Sequence, residues 1–447
     1  MKYTDRIVIG AGVAGLLAAW RAAERGESVR VLESNERAGG VLAPALVAGI
    51  RVDAGAESFS TVGDDVTRLI AELGMGDRVE SPQRSDGRII GPEQSRYAIP
   101  HGYLGIPSSL DDPELAAIIS PEGLRQARER DQHPVGSLKD LTVAGLVEQR
   151  LGNEFVTKLV EPVFAGVHGS SVQNLDLAAA APALVAAVVR EGSLVGAARA
   201  LRANQSRPGA ALASIRGGMF TLVAALTEKL RDLGVSIKYG ASVHAISQSS
   251  AGWICSTDLG EFNAAALSMC AGVENTTRLV TTIDAAPELP HSDNATDAHL
   301  VIALVHSHEL DSFPLGSGAL VAPSLGTNVK ATTHVNAKWH WANRTLEPHQ
   351  HLVRLSYHHA TDETGKTLEQ RVAQDVRWLY QVDECEVLEV QKQIWPRALS
   401  RPTPTSITQR DAALAMATEL NIELCGALTS GNGLLGITRD HYTRKTA

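Results

Sequence analysis

The stretch VIGAGVAGLLAAW, residues 8–20, places glycines at 10, 12 and 15 near the start of a 447-residue chain. The apolar run RIVIG that leads into it reads as a short buried strand. Val13 to Glu24, rich in Ala and Leu with Leu16, Leu17 and Trp20 spaced for one face, reads as a helix. Gly26 stops that helix, and SVRVLE supplies the next strand, which ends at Glu33. In such a strand–turn–helix unit Gly10 makes the tight turn, Gly12 lets the backbone approach a pyrophosphate, and Gly15 lets helix pack on strand. The helix N-terminus offers free N–H groups to the anion. A carboxylate at Glu33 can accept both hydroxyls of a ribose, so the unit is expected to bind a dinucleotide.

The residues after Glu33 choose between dinucleotides. SNERAGG, residues 34–40, sets Arg37 beside the pyrophosphate and adds a Gly39-Gly40 turn along which the chain can follow an extended FAD molecule. FAD is therefore expected rather than NAD.

The rest of the chain is too long for one domain. An apolar content of 44% with 20% charged residues suits a globular protein with a large core. The formal net charge of −9 argues against nucleic-acid binding through overall basicity, and no nucleic acid is expected as a partner. Cys255, Cys270, Cys385 and Cys425 show no CxxC pairing and read as buried thiols in a reducing cytoplasm. No removable leader is expected before the glycine turn, and the longest apolar stretch, 177–189, is short for a bilayer and interrupted by Pro182. A cytoplasmic location is expected, with peripheral membrane contact left open. The α/β character of the start returns at 214–270 and at the C-terminus, whereas 101–211 is rich in helical signals and ANQSRPG (203–209) reads as a linker. Residues 298–306, 318–336 and 350–358 alternate apolar and polar positions like strands of a sheet facing a ligand. The expected division is a FAD-binding domain from 1–63, 212–285 and 415–447, a substrate-binding sheet domain from 64–100 and 286–414, and a helical insert from 101–211. Histidines 334, 340, 349, 351, 358 and 359 form a loose group without the i, i+4 spacing and carboxylate of a helical metal site, so no metal is expected.

Beyond these features the chain resembles the flavin amine oxidase superfamily, and within it the oxygen-dependent protoporphyrinogen/coproporphyrinogen oxidases of haem synthesis in their Gram-positive, actinobacterial form. The resemblance is carried by VDAGAESFST (52–61), IPHGYLGIPSSL (99–110), LVEPVFAGVHGSSVQNLDL (159–177) and KATTHVNAKWHW (330–341). It implies an α/β FAD-binding domain, Rossmann-like and p-hydroxybenzoate-hydroxylase-like, with an α+β substrate domain and a helical insert. Its implied cofactor contacts are Gly10, Ala11, Gly12, Val13, Ala14 and Gly15 at the pyrophosphate, and Glu33 and Ser34 at the adenosine ribose with Arg37 and Gly40 nearby. Gly55, Ala56, Glu57 and Ser58 would line the flavin, and Val243 would meet the adenine through its backbone. Trp395 matches a tryptophan near the flavin, and Asn432, Gly433 and Leu434 would close over the ring and ribityl chain.

The implied reaction is the six-electron oxidation of coproporphyrinogen III to coproporphyrin III, with O2 as acceptor and hydrogen peroxide as product. The cofactor carries the hard chemistry, so no catalytic side chain is assigned. An apolar, polyanionic porphyrinogen needs an apolar slot with a few cations at its rim. Candidates are Lys330, Lys338 and Arg354, with Arg397 as a further cation and His168 in the signature segment. The chain departs from its relatives in STVGDD after Phe59, which lacks their basic residues, in ALSRPTPT (398–405), and in the residues that follow the glycines of SGNGLLGIT. Protoporphyrinogen IX as substrate, or a divergent flavoprotein that binds porphyrin or a partner without turnover, are the alternatives. A flavin amine oxidase or carotenoid desaturase fits residues 159–177 less well.

Overall fold

The computed structural model describes residues 3–83, 86–168, 171–203, 212–284, 289, 295–360, 365–400, 403–431 and 433–446, the side chains of 166–168 and 400 excepted. The expected linker at 203–209 lies almost wholly outside the described residues.

The strand Thr4–Ile9 is the centre of a seven-stranded sheet. Val29–Leu32 and Ser236–Lys238 extend it in parallel on one side, and Gly260–Met269 pairs in parallel on the other. An antiparallel flap of Gly252–Thr257 and Val243–Ser249 continues from Gly260–Met269, whose end also pairs in parallel with Ile422–Leu424. Parallel strands need crossovers, and the first is the helix Val13–Glu24, buried from Val13 to Ala22. Eight of its twelve residues are Ala, Leu or Gly, because it is covered by the sheet, by Thr221–Asp232 and by the C-terminal helix Leu434–Thr446. The first and last segments of the chain thus share one core.

A buried polar cluster ties them. Arg21, on the first helix, donates to Glu423 at 2.7 Å and lies 3.2 Å from Nδ1 of the fully buried His441. Ser268 Oγ donates to the other Glu423 oxygen at 2.6 Å. A buried guanidinium is tolerable only with such partners.

A second seven-stranded sheet runs Glu386–Ser400, Ala295–His306, Gln350–Tyr357, Val329–His334, Gly318–Val321, Arg88–Ile90 and Arg96–Ala98. All neighbours are antiparallel except Gly318–Val321 with Arg88–Ile90. Side chains alternate across it. Val301, Ala303, Val305, Val353, Leu355 and Tyr357 bury one face under the helix Leu368–Tyr380. Ile302, Leu304 and Leu352 bury the other with Trp339 against the hairpin Pro44–Val47/Ile50–Asp53 that follows the glycine turn. This second face is the one that packs on the segment following the glycine turn.

The helical body has its own core of Leu146, Phe155, Phe164, Leu184 and Ala197 among others. Just before Glu161-Pro162 the helix takes a π-helical turn at Val156–Val160. Pro162 has no N–H to give the carbonyl of Lys158, and the Tyr97 hydroxyl donates to that carbonyl instead at 2.7 Å. Gly105 packs beside it with φ +81, where a Cβ would stand 2.6 Å from the Leu159 carbonyl oxygen. Two of the stretches quoted for the resemblance therefore touch each other. Among the described residues no helix is long and apolar enough to cross a membrane, and 177–189 is split into Leu177–Ala180 and Pro182–Glu191.

Burial, with the Arg21 charge next to it, pushes the His441 imidazole down to about 4. The folded state holds the neutral ring, so stability is complete above the ordinary value near 6.5 and falls as pH drops toward 4. Melting temperatures between pH 7.5 and 4.5 should reveal this loss, on the order of 3 kcal/mol for one such proton. His441→Gln should flatten that part of the profile.

Candidate functional site: the glycine turn and the charged floor of the cleft

Gly10 turns with φ +96, and a Cβ there would stand 2.7 Å from the Cys270 carbonyl oxygen. At Gly15 a Cβ would run into the Gly10 carbonyl oxygen, so the helix can lie this close only without one. Gly12 is different: a Cβ there meets nothing within 4 Å. It is the N-cap of Val13–Glu24 and gives it no side-chain cap, leaving first-turn N–H groups to an outside acceptor. Ala11, Val13 and Ala14 are buried around it.

The segment after Glu33 folds back on this turn. Gly39 bridges to Gly12, and its N–H donates to the Ala11 carbonyl at 2.8 Å. Arg37 donates to the carbonyls of Gly40 at 2.9 Å and Ala38 at 3.2 Å. Glu33 is buried, accepting the Ala11 N–H at 2.7 Å on one oxygen and the Asn35 N–H at 2.9 Å on the other. Ser34 Oγ lies 3.4 Å from that second oxygen. An uncapped helix start, an open face at Gly12 and an oriented carboxylate at the next strand end fit a pyrophosphate followed by a ribose.

Further along, the Trp395 indole N–H donates to the Ala54 carbonyl at 2.9 Å, and its ring lies 5.5 Å from the Arg37 guanidinium carbon. Gly55 has no room for a side chain, because a Cβ there would run into the Val41 carbonyl oxygen, with the indole nitrogen 3.4 Å away. Two residues on, Glu57 receives Lys338 Nζ at 2.6 Å and Arg354 at 3.5 Å. Burial pushes the Glu57 carboxyl up, but Lys338 and Arg354 outweigh it and hold the group below its ordinary value. Ser214 Oγ fixes the Glu57 carbonyl at 2.8 Å. Ala56 is exposed and Ser58 half-buried beside it. Asp53, on the same segment, caps the turn into Thr221–Asp232 by accepting the N–H groups of Met219 and Phe220, each at 3.0 Å. Burial nevertheless pushes its carboxyl up to about 7.

Lys338 and Arg354, expected as separate rim cations, are instead held on one carboxylate. Arg354 lies opposite Thr333 in the sheet, and Lys338 ends the short helix Val335–Lys338 after that strand, so both face the 53–57 segment. Arg397 is likewise engaged, with Glu274 at 2.7 Å. Lys330 is half-buried at the register shift between Val329 and Ala331, with no carboxylate partner among the described residues, and burial pushes its ammonium down. Val243 is buried at the base of the flap, its carbonyl accepting from Arg278 at 3.1 Å. Gly433 (φ +104) and Leu434 open the last helix. The preceding loop reaches the glycine turn, where a Cβ on Gly426 would meet the Ala14 methyl at 3.4 Å. Asn432 and the His168 side chain lie outside what is described. Sequence spacing gave no sign of the Glu57 cluster, whose members are 281 and 297 residues apart.

The two glycines predict opposite outcomes. Gly15→Ala should destabilise the protein even without flavin. Gly12→Ala should leave the melting temperature of the flavin-free protein nearly unchanged and lower flavin retention at least tenfold, measured by absorbance after gel filtration.

The chain that builds this geometry is similar to several named proteins. It is 29% identical over 376 residues to a coproporphyrinogen III oxidase of Mycobacterium leprae, covering 80% of this chain and 78% of that protein. It is 25% identical over 352 residues to the coproporphyrinogen III oxidase of Staphylococcus aureus, covering 74% of each. A crystal structure from Exiguobacterium sp. 255-15, named for protoporphyrinogen oxidase, superposes with a TM-score of 0.83 at 22% identity, over 100% of this chain and 98% of that one. The model of the flavin-containing amine oxidoreductases matches residues 13–299, which begin inside the glycine turn and make up more than half of the sequence. The chain belongs to the flavin-containing amine oxidoreductase family.

Proposed function

We propose that this protein is an FAD-dependent coproporphyrinogen III oxidase, converting coproporphyrinogen III to coproporphyrin III with O2 as acceptor and hydrogen peroxide as product. The observation that carries the reading is a dinucleotide cradle with a buried ribose carboxylate, in a chain similar over most of its length to oxidases of that name. FAD, when bound, supplies the hydride acceptor and passes the electrons to O2.

The residues of this chain bind, orient and exclude water. Gly10 to Gly15 would hold the pyrophosphate, Glu33 and Ser34 the ribose, and Val243 the adenine edge. Trp395, packed on Ala54 and Gly55, would fix the strand that backs the flavin. Glu57, Lys338 and Arg354 set two cations against one carboxylate, which favours negative charge in the cleft above them. Because they are locked together, they serve as a rigid floor better than as side chains that reach for substrate. Lys330 is the candidate that remains for a propionate, since a half-buried ammonium gains most from an arriving carboxylate. Protoporphyrinogen IX, with fewer carboxylates, is the second reading, favoured by the likeness to the Exiguobacterium structure. A cytoplasmic enzyme with peripheral membrane contact is compatible with the described residues, which hold no helix long and apolar enough to span a bilayer.

Purified protein should be yellow and, with coproporphyrinogen III in air, should give porphyrin fluorescence and peroxide faster than with protoporphyrinogen IX. A colourless protein that takes up no FAD, or binding without turnover, would overturn the assignment, and the reverse rate order would replace its substrate. Lys330→Met should raise KM for coproporphyrinogen about tenfold, roughly 1.4 kcal/mol, with kcat within about twofold.

A further inference from the structure

Away from the flavin cleft, the strands Ala295–His306 and Gln350–Tyr357 end with His306 opposite Gln350 and Val305 opposite His351. The chain leaves the first strand through Ser307 and the short 3-10 helix Glu309–Ser312. It enters the second through His349, whose φ is +62. This brings His308, Asp311 and His349 together, with one donor atom from each lying within 4.8 Å of the others. The His308 and His349 rings stack with centroids 3.7 Å apart, and His306 stands edge-on to both at 5.5 and 5.8 Å.

We propose that His308, Asp311 and His349 form a binding site for a divalent transition metal of the zinc type, bordered by His306. Two imidazoles and one carboxylate are the donor set that such borderline ions prefer, and water completes four-coordination.

A second observation is the buried support behind the carboxylate. His351 Nε2 lies 3.1 Å from both the Ser307 carbonyl and Asp311 Oδ1. A carbonyl only accepts, so Nε2 carries the proton and donates to both. His351 Nδ1 then accepts from His334 Nε2 at 3.0 Å, with both rings buried. One Asp311 oxygen is therefore pinned by an imidazole anchored in the sheet, while the other faces His349 Nδ1 at 2.6 Å. Carboxylates that ligate metals are oriented by such outer hydrogen bonds. His308 and Asp311 are exposed, so an ion has access. The i, i+4 criterion misses this site because its ligands come from two sequence-distant segments joined by strand pairing. The site lies eight residues along the strand from the Ala298–Trp395 pair, about 26 Å away. Its ion would staple the sheet end and leave flavin chemistry unchanged.

The test uses flavin-loaded protein freed of metal by a chelator and titrated with Zn2+ in a calorimeter. One Zn2+ per chain and a raised melting temperature are expected. His308→Ala should weaken binding about 10–100-fold, and adding His349→Asn, which tolerates the left-handed backbone, should abolish it. His358→Ala/His359→Ala, an exposed pair past the opposite end of the same strand, should bind as before. No stoichiometric binding, or affinity unchanged in His308→Ala, would overturn the proposal. His308 is exposed, so that single variant keeps the fold and decides the matter even if the double variant does not fold.

Discussion

The first helix meets the end of the first strand so closely that a Cβ on Gly15 would run into the Gly10 carbonyl. No side chain fits there, and the separation sets everything stacked above it. Gly10 in turn abuts the Cys270 carbonyl, so the end of Gly260–Met269 is fixed by the same turn. That strand also pairs with Ile422–Leu424, and Gly426 brings the C-terminal loop against Ala14. One steric constraint therefore places the start, middle and end of the chain around a single uncapped helix terminus. Arg21, Glu423 and His441 secure this meeting from beneath with buried charge, which tolerates little displacement.

The second sheet is held to the first by a different force. Its inner face buries Ile302, Leu304 and Leu352 against the hairpin that follows the glycine turn, a non-directional apolar contact. Direction comes from the 53–57 segment at its edge. Asp53 reaches back to the turn at Met219 and Phe220, while Glu57 reaches across to Lys338 and Arg354. A buried ion cluster adds little net stability, because desolvation offsets much of its attraction. It does penalise any arrangement that leaves one member unpaired. It thus fixes how the second sheet meets the 53–57 segment.

The helical body shows how a local defect becomes a contact. Pro162 cannot complete the helix, the turn before it widens, and the released Lys158 carbonyl is taken by Tyr97 from the sheet domain. Glu161, beside the proline, accepts the Val172 N–H at 2.8 Å and so holds the other end of the same segment. The proline is useful because it frees an acceptor where a distant donor arrives.

Local pattern determined a great deal. The helix Val13–Glu24, its stop at Gly26, the strands around Glu33 and the helix ending before Gly234 all follow from apolar period and glycine position, which act over a few residues. The glycine turn and Glu33 were legible for the same reason, since their chemistry is complete within residues 10–40. The partner of each charge was not. Lys338 and Arg354 looked like free cations because their carboxylate stands nearly 300 residues away, and His308 meets His349 only through strand pairing. The short helix Ala427–Ser430 inside the glycine-rich C-terminal loop also escapes a local reading, since four residues carry too little period to register. Sequence fixes what each residue can do within reach of its neighbours along the chain. Tertiary structure alone decides which charges cancel and which donors converge, because those energies depend on distance and burial between segments that the sequence keeps apart.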